Sequence, residues 1–331
     1  QLDHWRRKLE GGPGGLALPV DKPRPATQSG HGDTAWLRVP ADTADALREF
    51  AQREGSTLFT VLLSAWALLL HQLSGQRDLV IGTPVRGRNL PELESVMGFF
   101  VNALPLRLQL DPDAGFRSLL QTARHEMIDA IGCQDVPFEH LVRVLSSAVE
   151  GVRRDTSRFP IYQSFFSYQD ARQRPCRWGD LAHANVPVFQ PAAAQDVALW
   201  FLDGADGLVG GLNYNTDILI ADTATLLVER YLAMLDRLVD ALAQQSRDVP
   251  LRALLSMTPA ETARLSSWND TAAAMPADRD LSHYLDDAIA GHGDRAQVLF
   301  ADAATSHLAL SAQADLIATA LRMRGVGPGA V

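Results

Sequence analysis

Disulfide chemistry has almost nothing to work with in this chain. Cys133 and Cys176 are its two cysteines, and no metal-ligand spacing relates them. Such usage fits a reducing cytoplasm, the expected location, better than a disulfide scaffold, and no metal site is expected. Long apolar runs are scarce too. The most apolar, residues 58–70, carries Thr60 and Ser64 and falls short of the roughly 20 residues that span a bilayer. It reads as a helix buried in a large core, and no membrane partner is expected. The opening residues, Gln1-Leu2-Asp3-His4-Trp5, lack the charged, apolar and small-residue regions of a signal peptide. Blocks of positive charge are missing as well. Lys and Arg number 30 against 39 Asp and Glu, a net charge of −9, which argues against a nucleic-acid partner. No Gly-x-Ser-x-Gly elbow, His-Glu-x-x-His or Gly-x-Gly-x-x-Gly occurs, and no two histidines are adjacent.

What is present is an ordinary globular balance, 47% hydrophobic and 21% charged over 331 residues, enough for one large domain or two ordinary ones. Residues 1–30 form a lead-in segment in which Gly11-Gly12-Pro13-Gly14-Gly15 breaks any helix begun at Trp5. Trp36-Leu37-Arg38-Val39 alternates like a strand, and Asp42 or Thr43 is placed to cap the helix that follows. Strands are expected at 79–82, 99–110, 161–168 and 197–202. Another follows Asp206-Gly207, a hairpin signal, at 208–214. Helical spacing marks 116–131 and 138–145, and Asp222 is placed to cap a long helix to about residue 243. Helices interleaved with strands predict an α/β or α+β class with a mixed sheet and flanking helices. Composition shifts near residue 250. Residues 256–280 read as a linker with one short helix begun by Thr258-Pro259-Ala260-Glu261. Residues 281–331 begin again with a helix, a strand at 298–300 and a helix over 310–323.

Local chemistry is sparse. Gly82-Thr83-Pro84-Val85-Arg86-Gly87-Arg88 has the spacing of a phosphate loop, but Arg88 and Asn89 replace the Lys and Ser/Thr that would meet phosphate and magnesium. It reads as a loop closing a strand edge. Arg124-His125-Glu126 reads as a solvated helix face, and the lone histidines His31, His71 and His140 as structural.

Three motifs then stand in order: Gly98-Phe99-Phe100-Val101-Asn102 closed by Arg107; Gln134-Asp135-Val136-Pro137-Phe138-Glu139; and Arg154-Asp155-Thr156-Ser157-Arg158-Phe159-Pro160. Together they resemble the second half of a condensation domain of a nonribosomal peptide synthetase. Ala103 stands for the family's Thr, Cys133 for His, and Phe159 for Asn. Gly211-Leu212-Asn213-Tyr214-Asn215-Thr216-Asp217 also suits that family. Trp268-Asn269-Asp270-Thr271 resembles its condensation–adenylation linker, and residues 320–329 the end of the first adenylation-domain helix. Thr305-Ser306-His307-Leu308-Ala309-Leu310 is a degenerate form of the element before it.

The resemblance implies a chloramphenicol-acetyltransferase-like lobe over residues 31–255, the linker at 256–280, and the start of an adenylation domain at 281–331. It implies amide-bond formation between carrier-bound aminoacyl or peptidyl thioesters in a bacterium. The family's catalytic His-His-x-x-x-Asp-Gly is absent from these residues. The chain is therefore expected to be the C-terminal lobe, inactive alone, with no catalytic residue of its own and no directly bound cofactor. Substrates would arrive on phosphopantetheine. Expected partners are the upstream and downstream peptidyl carrier proteins, the N-terminal condensation lobe and the adenylation domain. Gly98, Phe99, Val101 and Asn102 are the tunnel-lining candidates. Asn102 is read either as bonding a substrate carbonyl or pantetheine amide, or as making a strand-end hydrogen bond. Arg88, Gln134, Asp135, Pro137, Phe138, Glu139, Arg154, Asp155 and Arg158 are read as lobe-interface or structural residues. Asp135 would cap the helix after Pro137, and Arg154, Asp155 and Arg158 would form a local ion-pair network. A non-catalytic docking module for a carrier or partner lobe is the alternative, and an epimerization or heterocyclization lobe a weaker third.

Overall fold

The computed structural model describes residues 1–148, 155–172, 177–183, 191–204, 207–244, 248–274, 279–292, 297–300, 302–327 and 329–330. The chain divides into two compact units, Gln1–Arg264 and Leu265–Val331.

In the first unit, α1 (Leu2–Leu9) buries Trp5 and Leu9, and the glycine run then turns the chain away, with Gly11 at φ 63°. β1 (Gly32–Val39), α2 (Ala41–Arg53) and α3 (Leu58–Ser74) follow. Neither Asp42 nor Thr43 caps α2. The extended backbone of Pro40 starts the helix earlier and leaves Asp42 in the first turn, where a carboxylate favours the positive helix end. Helix α3 is apolar nearly all round and sits inside, as such a helix must. Its polar members are satisfied there: Ser64 donates to Thr60 O and Trp66 Nε1 to Ser164 Oγ, both at 2.8 Å. Thr57 caps its start and Gly75, at φ 70°, its end.

β2 (Asp78–Val85), β3 (Asn102–Gln109), α4 (Phe116–Gly132), α5 (Phe138–Ala148) and β4 (Ser164–Asp170) come next. The two-residue strands β5 (Arg177–Trp178) and β6 (Leu181–Ala182) form a small ribbon. β7 (Val197–Gly204), β8 (Gly207–Asn215), α6 (Ala221–Gln244), α7 (Leu251–Leu254) and α8 (Pro259–Asn269) complete the order. The main sheet runs β1-β8-β7-β4-β2-β3. β4 is parallel to both its neighbours, and the remaining pairs are antiparallel. Val197, Leu199 and Phe201 alternate inward along β7. Rings step from α3 through the sheet to α6: Phe59 to Phe166 at 5.3 Å, Phe166 to Phe201 at 6.2 Å, Phe201 to Tyr231 at 5.9 Å. Helices thus cover one face of a mixed sheet, the expected fold class.

At the inner end of β7, Asp203 is fully buried yet accepts from Arg48 Nη2 and Tyr168 OH, each at 2.6 Å, with Arg172 Nε at 3.3 Å. That pairing offsets the cost of burying the carboxylate. Burial first, then the bond to Asp203, pushes the Tyr168 hydroxyl's pKa well up, so it remains a donor.

Further strand and helix boundaries depart from expectation. β3 begins at Asn102 rather than Phe99, because residues 90–101 form a loop with a 3-10 turn at Pro91–Leu93. β4 begins at Ser164 because Ile161 takes φ 70° and Tyr162 N donates to Pro160 O at 2.8 Å. This is a tight three-residue turn, costly for a β-branched residue by about 1–3 kcal/mol. Asp222 lies inside α6, which begins at Ala221. Asp206 of the expected hairpin lies outside the described residues, as do Cys176 and Arg154.

The second unit holds α9 (Leu281–His292), β9 (Gln297–Phe300), β10 (Ala303–Ser306) and α10 (His307–Met323), with β9 and β10 antiparallel. Ser306 caps α10 by accepting from Ala309 N at 3.2 Å, which starts the helix before the expected Leu310.

Candidate functional site

The sheet face opposite α3 carries a cleft of about 720 Å³ bordered by the start of α5, and residues of all three motifs line it. Its inner wall is aromatic. Phe138 and Phe159 stack at 5.7 Å and 9°. Tyr162 lies 5.2 Å from the first and 5.1 Å from the second, with Phe165 at 6.0 Å beyond. The turn at Ile161 lays the Tyr162 ring flat on β2, where a Cβ at Gly82 would stand 2.3 Å from the ring. Only glycine fits there. Tyr162 is 1% exposed. Burial first, and then the charge of Glu139, drives its hydroxyl pKa far above the ordinary value, so it stays neutral.

Asn102 opens β3 and ties the second motif in place. Its Nδ2 donates to Gln134 O at 2.9 Å and Val136 O at 2.8 Å, while Oδ1 accepts from Ala103 N at 2.9 Å and Phe138 N at 3.1 Å. Asn102 therefore caps α5 from another element. Of its two readings, the strand-end hydrogen bond is the one the geometry has: Asn102 borders the cleft, but its amide is spent on the loop. Asp135, expected to cap α5, does not. It accepts instead from Gln1 Nε2 and Asn89 Nδ2, both at 2.7 Å. Gln134, Pro137 and Glu139 line the cleft with it.

Arg88 governs the loop of the first motif. Its guanidinium donates to Leu93 O, to Val96 O at 2.7 Å and to Gly98 O at 3.3 Å, and lies 4.4 Å over the Phe100 ring. Gly87, at φ 62°, closes against Phe100 O, where a Cβ would approach to 2.0 Å. The expected loop is shorter than Gly82-to-Arg88: Gly82 to Val85 belong to β2, an interior strand paired with β3 and β4, and only residues 86–88 turn away from it. Gly98 does not line the cleft, and Phe99 and Val101 do. Phe99 is 90% exposed and Met97 99%, with Leu90 and Val96 also exposed, so this loop offers an apolar surface to whatever faces it.

The third motif divides. Asp155 accepts from Ser157 Oγ and N, which hold its carboxyl below the usual range. Arg158 stands 3.8 Å from Asp155 and donates to Leu16 O at 3.1 Å. Those two make local bonds, while Phe159 faces the cleft. Sequence reasoning missed Phe159, Tyr162 and Phe165 as site residues. The available signal was Phe159 itself, aromatic where the family carries Asn. No histidine is among the lining residues, and Glu126 of Arg124-His125-Glu126 pairs with Lys8, beside an exposed His125. Among the described residues no group of His, Cys, Asp and Glu is arranged to hold a metal, and no single helix is long and apolar enough to cross a membrane.

Comparison with known proteins follows the same boundaries. The condensation-domain family profile matches residues 1–264, the span of the first unit. Tyrocidine synthase 3 of Brevibacillus parabrevis is 33% identical over 329 residues, 99% of this chain and 5% of that protein. Phosphinothricin tripeptide synthetase PhsC of Streptomyces viridochromogenes is 34% identical over 329 residues, 99% of this chain and 29% of that one. The chain therefore spans a small part of each. Among solved structures, a four-domain nonribosomal peptide synthetase bound to AMP and glycine matches with TM-score 0.80 at 26% identity, covering 99% of this chain and 25% of that one. The X-domain from teicoplanin biosynthesis, solved with OxyB, matches with TM-score 0.66 at 27% identity, covering 78% of this chain and 55% of that one. The mixed sheet and its helices are those of the chloramphenicol-acetyltransferase-like lobe in these neighbours. A profile spanning the whole unit, on a fold that gathers the three motifs around one cleft, makes this chain a member of the condensation-domain family of nonribosomal peptide synthetases.

Proposed function

We propose that this chain is the C-terminal lobe of an amide-forming condensation domain, supplying one wall of the substrate channel while an N-terminal lobe supplies the histidine motif. The observation that carries this reading is the meeting of Phe99 and Val101, Gln134 to Glu139, and Phe159 around a single cleft. The exposed apolar loop from Leu90 to Val101 beside that cleft suits burial against a second lobe.

In the reaction, the amine of a carrier-bound acceptor attacks the carbonyl of a carrier-bound donor thioester. A C–N bond forms, the C–S bond breaks, and the donor's pantetheine leaves as the thiol. The amine proton passes by way of the histidine of the other lobe to the leaving sulfur. This chain's residues bind and orient. Asn102 holds residues 134–138 in register with β3, Arg88 fixes the loop that carries Phe99, and the aromatic wall excludes water from the apolar side of the cleft. Pantetheine stays on the carriers, so the lobe needs no resident cofactor. Residues 281–331 we assign to the start of an adenylation domain, joined through Trp268-Asn269-Asp270-Thr271. The match of the whole chain to a four-domain synthetase supports that assignment.

The test adds an N-terminal condensation lobe in trans, with loaded donor and acceptor carriers, and measures amide product. Product with both lobes and none with this chain alone is expected. Carrier binding without product would favour a docking module. Product from this chain alone would overturn the half-domain reading.

A further inference from the structure

The cleft combines two chemistries in a way that selects a ligand. Its inner wall is the Phe138–Phe159 stack with Tyr162 behind it and Phe165 beside it. Besides the neutral Tyr162 hydroxyl, its titratable lining residues are Asp135 and Glu139. Both are carboxylic acids and both are exposed at the rim. No Lys or Arg lines it. An apolar wall facing an acidic rim is the complement of a group with a flat or branched apolar side chain and an ammonium a few atoms away. It opposes a side-chain carboxylate, and it gives no advantage to an amine already acylated.

The wall also departs from the family motif at one residue. Phe159 stands where the condensation-domain motif resembled by residues 154–160 carries Asn. An Asn there would put a polar amide against Phe138 and end the stack. Its geometry is held from outside the cleft: Ile161 at φ 70° aims Tyr162 at Gly82, and Tyr162 backs both stacked rings. The surface offered to a ligand is thus preorganised rather than a floppy aromatic patch.

We infer that this cleft holds the acceptor, an aminoacyl group with a free α-amine and an aromatic or branched apolar side chain, and that Phe159 is a specificity-determining residue for that side chain. The inference rests on the condensation reading given above. Glu139 and Asp135 favour the ammonium form of the waiting acceptor, whose proton must be lost before attack on the donor.

The test titrates the full chain with pantetheine amides, stable stand-ins for the thioesters, bearing phenylalanyl, leucyl, alanyl or glutamyl groups. Each is used with its amine free and acetylated. The free-amine phenylalanyl and leucyl probes are expected to bind at least about tenfold more tightly than the glutamyl probe and than their own acetylated forms. Phe159→Asn should cut the phenylalanyl-to-alanyl ratio at least about fivefold, with Phe159→Leu keeping the leucyl preference. Glu139→Gln should reduce the advantage of the free amine while leaving the side-chain ranking in place. Far-ultraviolet circular dichroism of each variant shows whether its fold is retained. If Phe159→Asn does not fold, Phe165→Gln reads the same wall, with the same expected loss of preference. Probes that all bind equally, or a ranking unmoved by the wall variants, would overturn this inference and leave the condensation reading intact. Failure of every probe to bind would likewise overturn this inference, while the condensation reading stands or falls on the two-lobe product assay.

Discussion

Asn102 spends its entire side-chain amide on the polypeptide around it, joining the start of β3 to residues 134–138 and to the first turn of α5. With a net value of about 1 kcal/mol for each of these four bonds, Asn102→Ala is expected to cost about 4 kcal/mol in urea denaturation and to speed hydrogen exchange in α5. Asn102→Asp keeps the acceptor for Phe138 N but sets a carboxylate oxygen against two carbonyls, and is expected to destabilise at least as much. Asp170 gives a pH-dependent counterpart. Hydrogen bonds from Arg172 lower its carboxyl from 3.8 to about 2. A folded-state pKa below the unfolded one gives stability that is present above about pH 4 and lost as pH falls toward 2. Carboxyl NMR titration should find the Asp170 midpoint low in the native chain and nearer the ordinary value in Arg172→Ala. An unchanged midpoint would remove Arg172 as the cause.

At the scale of elements, the contact of Tyr162 with Gly82 decides how β4 meets the cleft. Gly82→Ala places a methyl group within the Tyr162 ring and is expected to cost about 1–3 kcal/mol, in the range of overpacked cores. It should also alter the near-ultraviolet circular dichroism of the aromatic cluster. Wild-type spectra and melting in that variant would mean the ring has room to move. Much of the element order was legible in the sequence because periodicity survives in single segments: the apolar run of α3, the amphipathic spacing of α4, the alternation of β7. The misread features were set across the chain. Asp135 looks like a cap beside Pro137, but the cap comes from Asn102 on another strand. The run from Ile161 looks like strand throughout, but packing of Tyr162 on Gly82 bends its first residues into a turn. The site was half legible for the same reason. The motifs marked its border and the stacked pair Phe138 and Phe159, while Tyr162 and Phe165, the rest of its inner wall, lie outside them and are gathered only by the fold.

At the scale of the whole molecule, the two units differ in how much they bury. The first holds the core from Trp5 to Leu254, whereas no residue of α9 or α10 is buried. A unit with so little buried surface opens readily. Limited proteolysis followed by mass spectrometry is expected to clear residues 281–331 while a fragment covering 1–264 persists, and equal survival would show that the second unit is stabilised by more than its own packing. The fit of Tyr162 on Gly82 also bears on engineered chimeras. Gly82 lies on β2 and Tyr162 in the turn before β4, with α4 and α5 between them in the chain, so a crossover inserted between β2 and α5 separates a lock from its key. When the donor sequence carries any larger residue at either position, such a chimera should misfold at the cleft, while crossovers placed before β2 or after β4 move the pair together and leave the wall whole.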